Sequence, residues 1–195
     1  MPDPSDSRRF SVRQPGASDW LTLEIVDEGG DWSSLAATAD ELVHAAGQAV
    51  ARHARFAESD AAQACIALSD DATVRDLNAR YRGMDKATNV LSFPTPADSA
   101  DNFGDARNLG DVVLARETVA AEALDQGIPP AHHLQHLVVH GLLHLLGFDH
   151  DNDRDALEME GLEIEILASL GIANPYSEPV IAAEAAAAAP VWRHG

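Results

Sequence analysis

The sequence predicts an α+β fold in which a small mixed sheet of about four strands packs against helices. Short apolar or alternating segments typical of strands are separated by longer segments whose apolar residues recur every three or four positions. The chain has 195 residues, which is enough for one domain with a proper hydrophobic core. These two observations together favour strands and helices that alternate along one domain.

The first half of the chain supplies two strands and two helices. Residues 20–27 alternate as a strand, and residues 39–55 carry an apolar stripe at helical spacing. A buried strand is predicted around Cys65. A helix over 71–81 follows, and Asp70 just before it is a favourable N-cap residue.

The middle of the chain supplies two more strands and a helix. A strand is predicted over 88–93 and ends at a proline, which cannot donate a ladder hydrogen bond. The polar residues 97–108 predict an exposed loop. A strand over 109–115 leads into a helix over 116–124, which Gln126-Gly127 ends.

Two further helices complete the predicted fold. Prolines at 129–130 open a long helix, because proline is tolerated in the first helical turn. A glutamate-rich helix is predicted over 154–170, with Leu157, Ile164 and Leu167 facing inward.

The ends of the chain differ in composition from its centre. Residues 1–18 are rich in Pro, Ser, Asp and Arg and are predicted to be disordered. Residues 19–175 form the predicted single domain, and 176–195 are predicted to be a flexible, alanine-rich tail. The single cysteine, Cys65, excludes an intrachain disulfide, and neither a secretory signal nor a membrane-length apolar run is present, so we expect a cytoplasmic protein.

Three histidines in and after the apolar segment 134–146 have the spacing of a metal site. His140 and His144 lie one turn apart on one helix face, and Gly147 can adopt the left-handed conformation that ends a helix. The chain can then turn back and bring His150 to the same point. Three imidazoles leave one position of a tetrahedral ion open, as in catalytic sites. The sequence therefore predicts a zincin-like metal-bearing helix with these three histidines as ligands.

Three other histidines lie near the start of the same helix, off this repeat. They are His132, His133 and His136. We expect them to lie on a solvated face or to contact the helix start.

Gly141 separates this site from zinc proteases that share the histidine spacing. In metzincins the residue after the first histidine is a glutamate, which is the general base. Glycine can neither accept nor deliver a proton, so the site would depend on the ion to lower the pKa of its water. Phosphodiesters suit such a site better than peptides, because a metal and an arginine can stabilise their anionic transition state.

A second segment offers that arginine. From Arg75 to Lys86 there are four basic and two acidic residues, in a chain whose net charge is −19. Such a basic patch is often only a solvated helix face, but beside a metal site it is a candidate phosphate-binding surface. The overall acidity opposes RNA binding, whereas the local potential at a site can still favour it.

The segments L-N-x-x-Y-R-x-x-D-x-x-T-N-V-L-S-F, from residue 77, and H-G-x-L-H-L-x-G-x-D-H, from residue 140, resemble the YbeY family. Leu109-Gly110-Asp111-Val112-Val113-Leu114 between them adds to this resemblance, which covers about 21–170. One departure is Ala87, where many members have proline; it would loosen the entry to the following strand.

The resemblance implies a single-strand-specific, metal-dependent endoribonuclease. Members act in ribosomal RNA processing, in maturation of the 3′ end of 16S ribosomal RNA and in ribosome quality control. It implies one Zn²⁺ ion held by His140, His144 and His150, with other divalent metals possible, and Arg82 as the catalytic arginine facing the ion. The implied partners are single-stranded ribosomal RNA and the small ribosomal subunit or its associated proteins.

Several points stay open at the level of the sequence. Asp149 and Asp111 are candidates to accept the far N–H of a ligand histidine, although Asp149 could equally cap a turn. The general base is unassigned. Two other classes remain: a non-catalytic ribosome-assembly factor with a structural metal, and a zinc metallopeptidase, which Gly141 disfavours.

Overall fold

The computed structural model describes residues 10–11, 20–35, 38–56, 59–96 and 105–177. The strands are β1 (Phe10–Ser11), β2 (Leu21–Asp27), β3 (Ala62–Ser69), β4 (Val90–Pro94) and β5 (Arg107–Ala115). The helices are α1 (Ala39–Arg52), α2 (Asp71–Arg82), α3 (Arg116–Gln126), α4 (Pro130–Leu145) and α5 (Asp153–Ser169). Short 3-10 turns lie at Trp32–Ser34 and Ala54–Phe56.

The strands form one mixed sheet in the order β1-β2-β3-β5-β4. β2, β3 and β5 are parallel, whereas β4 runs antiparallel to β5 and β1 antiparallel to β2. The predicted mixed α+β sheet of about four strands is confirmed, with the two-residue β1 as an addition at the edge. β1 lies inside the segment 1–18 that we predicted to be disordered, and the rest of that segment lies outside the described residues.

Helices cover both faces of the sheet, which is why the central strands are buried on both sides. The larger core joins α1, α4 and α5 to one face and includes Ile66, Val112 and Leu142, all fully or almost fully buried. The smaller core packs α2 on the other face through Val74 and Val113. Consecutive residues of β5 therefore enter different cores, as the two-residue repeat of a strand requires.

Two helix ends illustrate how the sequence sets the element boundaries. The side chain of Asp70 accepts a hydrogen bond of 2.8 Å from the backbone N–H of Thr73, as the predicted N-cap should. Gly83 ends α2 in the left-handed conformation with φ of 70°. The helix predicted over 39–55 ends earlier, because His53 is extended.

The structure corrects several predicted details. Leu157 is 71% exposed and Ile164 is only partly buried, whereas Leu167 is buried as predicted. The other buried residues of α5 are Met159, Leu162, Glu163 and Ile166. The predicted loop 97–108 ends early because β5 already begins at Arg107; residues 97–104 lie outside the described part.

At the other end, the described chain runs two residues past the predicted domain boundary at 175. Tyr176 still contacts the domain through Glu163, whereas residues 178–195 of the predicted tail lie outside the described residues.

Candidate metal centre

The three predicted ligand histidines come together at the end of α4. The Nε2 atoms of His140 and His144 are 3.1 Å apart, one helical turn from each other. Gly147, with φ of 93°, takes the backbone through a turn that a side chain would strain. This turn returns the chain so that one ligand atom from each of His140, His144 and His150 lies within 4.8 Å of the others.

The hydrogen bonds behind the two helical histidines fix which nitrogen is free. His140 Nδ1 lies 2.8 Å from Glu163 Oε1, and His144 Nδ1 lies 3.0 Å from the carbonyl oxygen of Phe148. Because both partners are acceptors, each Nδ1 carries a proton and donates it. In the neutral rings the Nε2 lone pairs then face each other, an arrangement that a shared cation relieves.

The spacing of these nitrogens also suits a metal. Two nitrogens bound to one tetrahedral zinc at about 2.0–2.1 Å would lie about 3.3 Å apart, close to the observed 3.1 Å. Burial, and secondarily the neighbouring His140 and His150, lowers the pKa of His144. This shift favours the neutral ring, which is the form that binds a metal. The donor set fits a divalent ion.

Glu163, on α5, is the carboxylate that orients the site, and we did not predict it. Its side chain is fully buried. It accepts hydrogen bonds from His140 Nδ1, from His136 Nε2 at 3.0 Å and from the hydroxyl of Tyr176. Burial alone would raise the pKa of Glu163, but these three donors outweigh it and lower the pKa to about 2.

The sequence did contain a signal for Glu163. It stands four residues after the buried Met159 and three before the buried Ile166, so a glutamate occupies the apolar stripe of α5. A charged residue at such a position is rarely buried without partners. The predicted inward face of α5 contained Leu157 and Ile164 but not Glu163, so this glutamate was missed.

Neither of the two candidate aspartates accepts a hydrogen bond from the Nδ1 atom of His140 or His144, although Asp149 does line the metal cavity. Asp149 Oδ1 is 3.9 Å from His144 Nδ1 and accepts the backbone N–H of His150 at 2.8 Å, so it caps the turn. Asp111 lies on β5, where it pairs with Cys65 of β3 and Phe93 of β4. It is not among the residues that line the metal cavity. Burial, then Glu28 and Glu24, raises the pKa of Asp111.

The histidines before the metal ligands depart from the expected solvated positions. His133 is almost fully buried, and its Nε2 lies 2.8 Å from Glu122 Oε2. His136 is only partly exposed and holds Glu163. The physical reason is that carboxylates of the neighbouring helices, Glu122 on α3 and Glu163 on α5, bind these two imidazoles.

The histidines open into a cavity of about 730 Å³ between α4, β4 and the end of α2. We call it the metal cavity. Arg82, the predicted catalytic arginine, lines it, and its Nη2 makes a long contact of 3.4 Å with the carbonyl oxygen of Ser92. Arg107 lines it as well, from the start of β5, where we had predicted a loop. The cavity thus combines a metal-binding wall with two guanidinium groups.

Not all of the basic segment faces this cavity. Arg75 forms a two-point ion pair with Asp85, through Nε at 2.7 Å and Nη2 at 3.1 Å. The hydrogen bonds and charge of Arg75 lower the pKa of Asp85. Asn78 is buried and donates to the carbonyl oxygen of Lys86, which fixes the loop after α2. Of the basic residues of 75–86, Arg82 is the one that lines the metal cavity.

Gly141 lies where α4 crosses the sheet. A Cβ atom at this position would lie 2.6 Å from Val112 Cγ1, 3.0 Å from Val112 Cγ2 and 3.3 Å from Ser92 Oγ. Ser92 Oγ donates to the carbonyl oxygen of Gly141 at 3.4 Å. The position that carries the base in the proteases is therefore held against the sheet, and a side chain there would require Val112 or the helix to shift.

Comparison with known proteins adds a consistent result. The family model described as "Endoribonuclease YbeY" matches residues 29–171. Proteins named "Endoribonuclease YbeY" are 49% identical over 180 residues in Parvibaculum lavamentivorans and 46% identical over 159 residues in Azorhizobium caulinodans. The first alignment covers 89% of this chain and 95% of the relative, the second 82% and 98%. A third, from Bradyrhizobium diazoefficiens, is 52% identical over 67% of this chain and 74% of its own length.

No helix in the described part of the chain is both long and apolar enough to cross a membrane.

Proposed function

Because the chain belongs to the YbeY endoribonuclease family, we propose that it is a metal-dependent endoribonuclease that cleaves single-stranded RNA in ribosomal RNA processing. The observation that carries this proposal is the pair of facing Nε2 atoms, with His150 beside them, in a cavity that also holds Arg82 and Arg107. A metal-binding wall opposite cationic side chains is suited to a phosphodiester, whose reacting group is anionic.

We propose Zn²⁺ as the ion, with His140, His144 and His150 as its ligands. Bound there, it would lower the pKa of a coordinated water and neutralise charge on a phosphate oxygen. Glu163 keeps His140 in the tautomer whose Nε2 is free, and the Phe148 carbonyl does the same for His144. Arg82 and Arg107 bind the phosphate, and Arg82 stabilises the negative charge that develops on it.

The proton acceptor is a separate question, since Gly141 supplies none. Asp149 and Asp151 are the carboxylates that line the metal cavity in the described part of the chain, and we propose them as candidates. The ends of the products identify the nucleophile. A 2′,3′-cyclic phosphate, as final product or as intermediate, would mean that the RNA's own 2′-OH attacks. A 3′-hydroxyl, or a 3′-phosphate formed without a cyclic intermediate, would mean that water does.

The proposed biological substrate is the 3′ end of 16S ribosomal RNA, in the cytoplasm. We also propose a role in quality control, in which the RNA of defective ribosomes is cleaved. The net charge of −19 weakens binding to free RNA. We therefore propose that the small ribosomal subunit, or a protein bound to it, supplies part of the docking energy.

The first test is cleavage of a single-stranded RNA by the wild type and by His144→Ala, purified identically. His53→Ala is the matched control, because His53 pairs with the exposed Glu165 away from the metal cavity. We expect the first variant to lose cleavage while its circular dichroism spectrum stays that of the wild type, and the control to cleave normally. Equal cleavage by all three proteins would reveal a contaminating ribonuclease.

The acidic surface favours one competing function, that of a ribosome-assembly factor with a structural ion. Removal of the metal separates the two. A structural ion contributes to folding, so its removal should unfold the domain; a catalytic ion should leave the fold intact and only abolish cleavage. We expect the second outcome, because the core of α4 is packed against the sheet independently of the histidines.

A further inference from the structure

A second cavity lies on the other side of His140 from Arg82. Its volume is about 710 Å³, and it is bounded by α3, the first turns of α4 and the segment 172–177 after α5. We call it the side cavity. Asn89, Val90 and His140 line both the side cavity and the metal cavity. The two cavities are therefore adjacent, and a metal ligand belongs to the lining that they share.

The two cavities differ in charge. Arg82 and Arg107 line the metal cavity, whereas no lysine or arginine is among the described residues that line the side cavity. The carboxylate of Glu122 lines the side cavity, accepting hydrogen bonds from Asn89 Nδ2 at 2.9 Å and bonding to His133 Nε2. The metal cavity therefore offers guanidinium groups that can pair with a phosphate, whereas the described lining of the side cavity offers none and suits a neutral group.

The remaining lining has the chemistry that recognises an unpaired base. Aliphatic side chains, of which Ile128 and Ile172 are examples, provide apolar walls, and Gln126 and Asn174 offer amide groups. The ring of Tyr176 is 44% exposed, although its hydroxyl is tied to Glu163. Its position is also fixed by an edge contact with His136, with ring centroids 5.9 Å apart. An exposed aromatic ring in a fixed orientation is a stacking platform for a base.

We propose that the side cavity binds one nucleobase of the RNA, from the nucleotide next to the phosphate at the metal centre. This inference rests on the proposed function and adds where the neighbouring base goes. A base can enter only if it is unpaired and unstacked, so the side cavity would by itself select single-stranded RNA over a duplex.

The main test combines RNAs that lack one base with a protein variant whose side cavity is blocked, and compares them as in a double-mutant cycle. Single-stranded RNAs carry one abasic ribonucleotide at each position around the cleavage site in turn, which deletes a base and keeps every phosphate. Ala173→Trp blocks the cavity from an exposed position in its wall, and Ala168→Trp is the control, at an exposed position of α5 outside the wall.

For the wild type we expect one adjacent abasic position to raise KM about tenfold, as loss of one stacked base does. For Ala173→Trp we expect the intact RNA already to show this loss, with no further effect of the abasic position. Ala168→Trp should behave as the wild type. Equal KM values for intact and abasic RNAs at every position would overturn the proposal, and so would an undiminished abasic effect in Ala173→Trp.

A binding measurement separates this inference from the proposed function. In NMR spectra of the full-length protein, uridine or adenosine should shift the backbone amides of 172–177, and inorganic phosphate should instead shift those near Arg82. Nucleosides that leave 172–177 unmoved would overturn the side cavity as a base site even if RNA is cleaved. Nucleoside shifts in a protein that cleaves no RNA would support the site and refute the proposed function.

Discussion

Replacing Gly141 by alanine tests whether close packing of α4 on the sheet requires a glycine. The added Cβ would lie 2.6 Å from Val112 Cγ1 on β5, well inside van der Waals contact. Val112 is fully buried and branched at Cβ, so its methyl groups cannot swing away without a new rotamer. The helix must then move from the sheet, or the valine must leave its preferred conformation.

The expected change in stability is the sum of two opposing terms. Alanine in place of glycine inside a helix stabilises by about 1 kcal/mol. Overpacking a well-filled core costs about 1–3 kcal/mol. The free energy of unfolding should therefore fall by about 0–2 kcal/mol, and cleavage should weaken as well, because His140 is the neighbouring residue and moves with the helix.

Gly161→Ala is the matched control, because a Cβ at this position of α5 meets nothing within 4 Å. Urea unfolding of both variants isolates the steric term as the difference between them, which should be about 1–3 kcal/mol. Adding Val112→Ala should make Gly141→Ala less harmful, or favourable. If Gly141→Ala stabilises the protein as much as Gly161→Ala does, the packing argument is wrong.

Three further outcomes are expected. Glu163→Gln should weaken zinc affinity about 10–100-fold, measured by competition with a chelator, because His140 loses the carboxylate behind it; unchanged affinity would exclude the orienting role. Asp70→Ala should cost about 1 kcal/mol in urea unfolding at pH 7 through loss of the N-cap. The hydrogen bonds from Thr73 lower the pKa of Asp70 in the folded protein. The stability difference between wild type and variant should therefore be fully present above the unfolded pKa, about 3.9, and vanish as the pH falls through the folded pKa. A stability difference that stays constant down to pH 2 would contradict this. Burial, then Asp111, Glu24 and Glu28, raises the pKa of Cys65 to about 12, so at pH 8 iodoacetamide should alkylate the folded protein about a thousandfold more slowly than the unfolded chain, and similar rates would refute this.

The sequence was most informative where a local pattern determines the outcome. The cap at Asp70 and the glycine end of α2 follow from a few neighbouring residues, and so does the pairing of His140 with His144 on one helix face. The left-handed Gly147 was also predictable, because a histidine three residues later can rejoin the first two only through such a turn.

The sequence was least informative where distant segments meet. Glu163 contacts His140 from another helix, 23 residues away, and nothing local in α5 indicates which helix it faces. Arg107 lines the cavity because β5 begins there, paired with Ala62 of β3. The exposure of Leu157 depends on which stripe of α5 meets the core. Asp111 looked suitable by type, yet strand alternation placed it beside Cys65.

Glu163 connects the two cavities structurally. One carboxylate oxygen holds His140, and the other holds His136 and Tyr176 in the wall of the side cavity. A ligand that strengthened the Tyr176–Glu163 hydrogen bond and thereby changed the zinc affinity would have its own affinity changed by zinc by the same factor. One buried side chain thus contacts both a metal ligand and the wall of the side cavity.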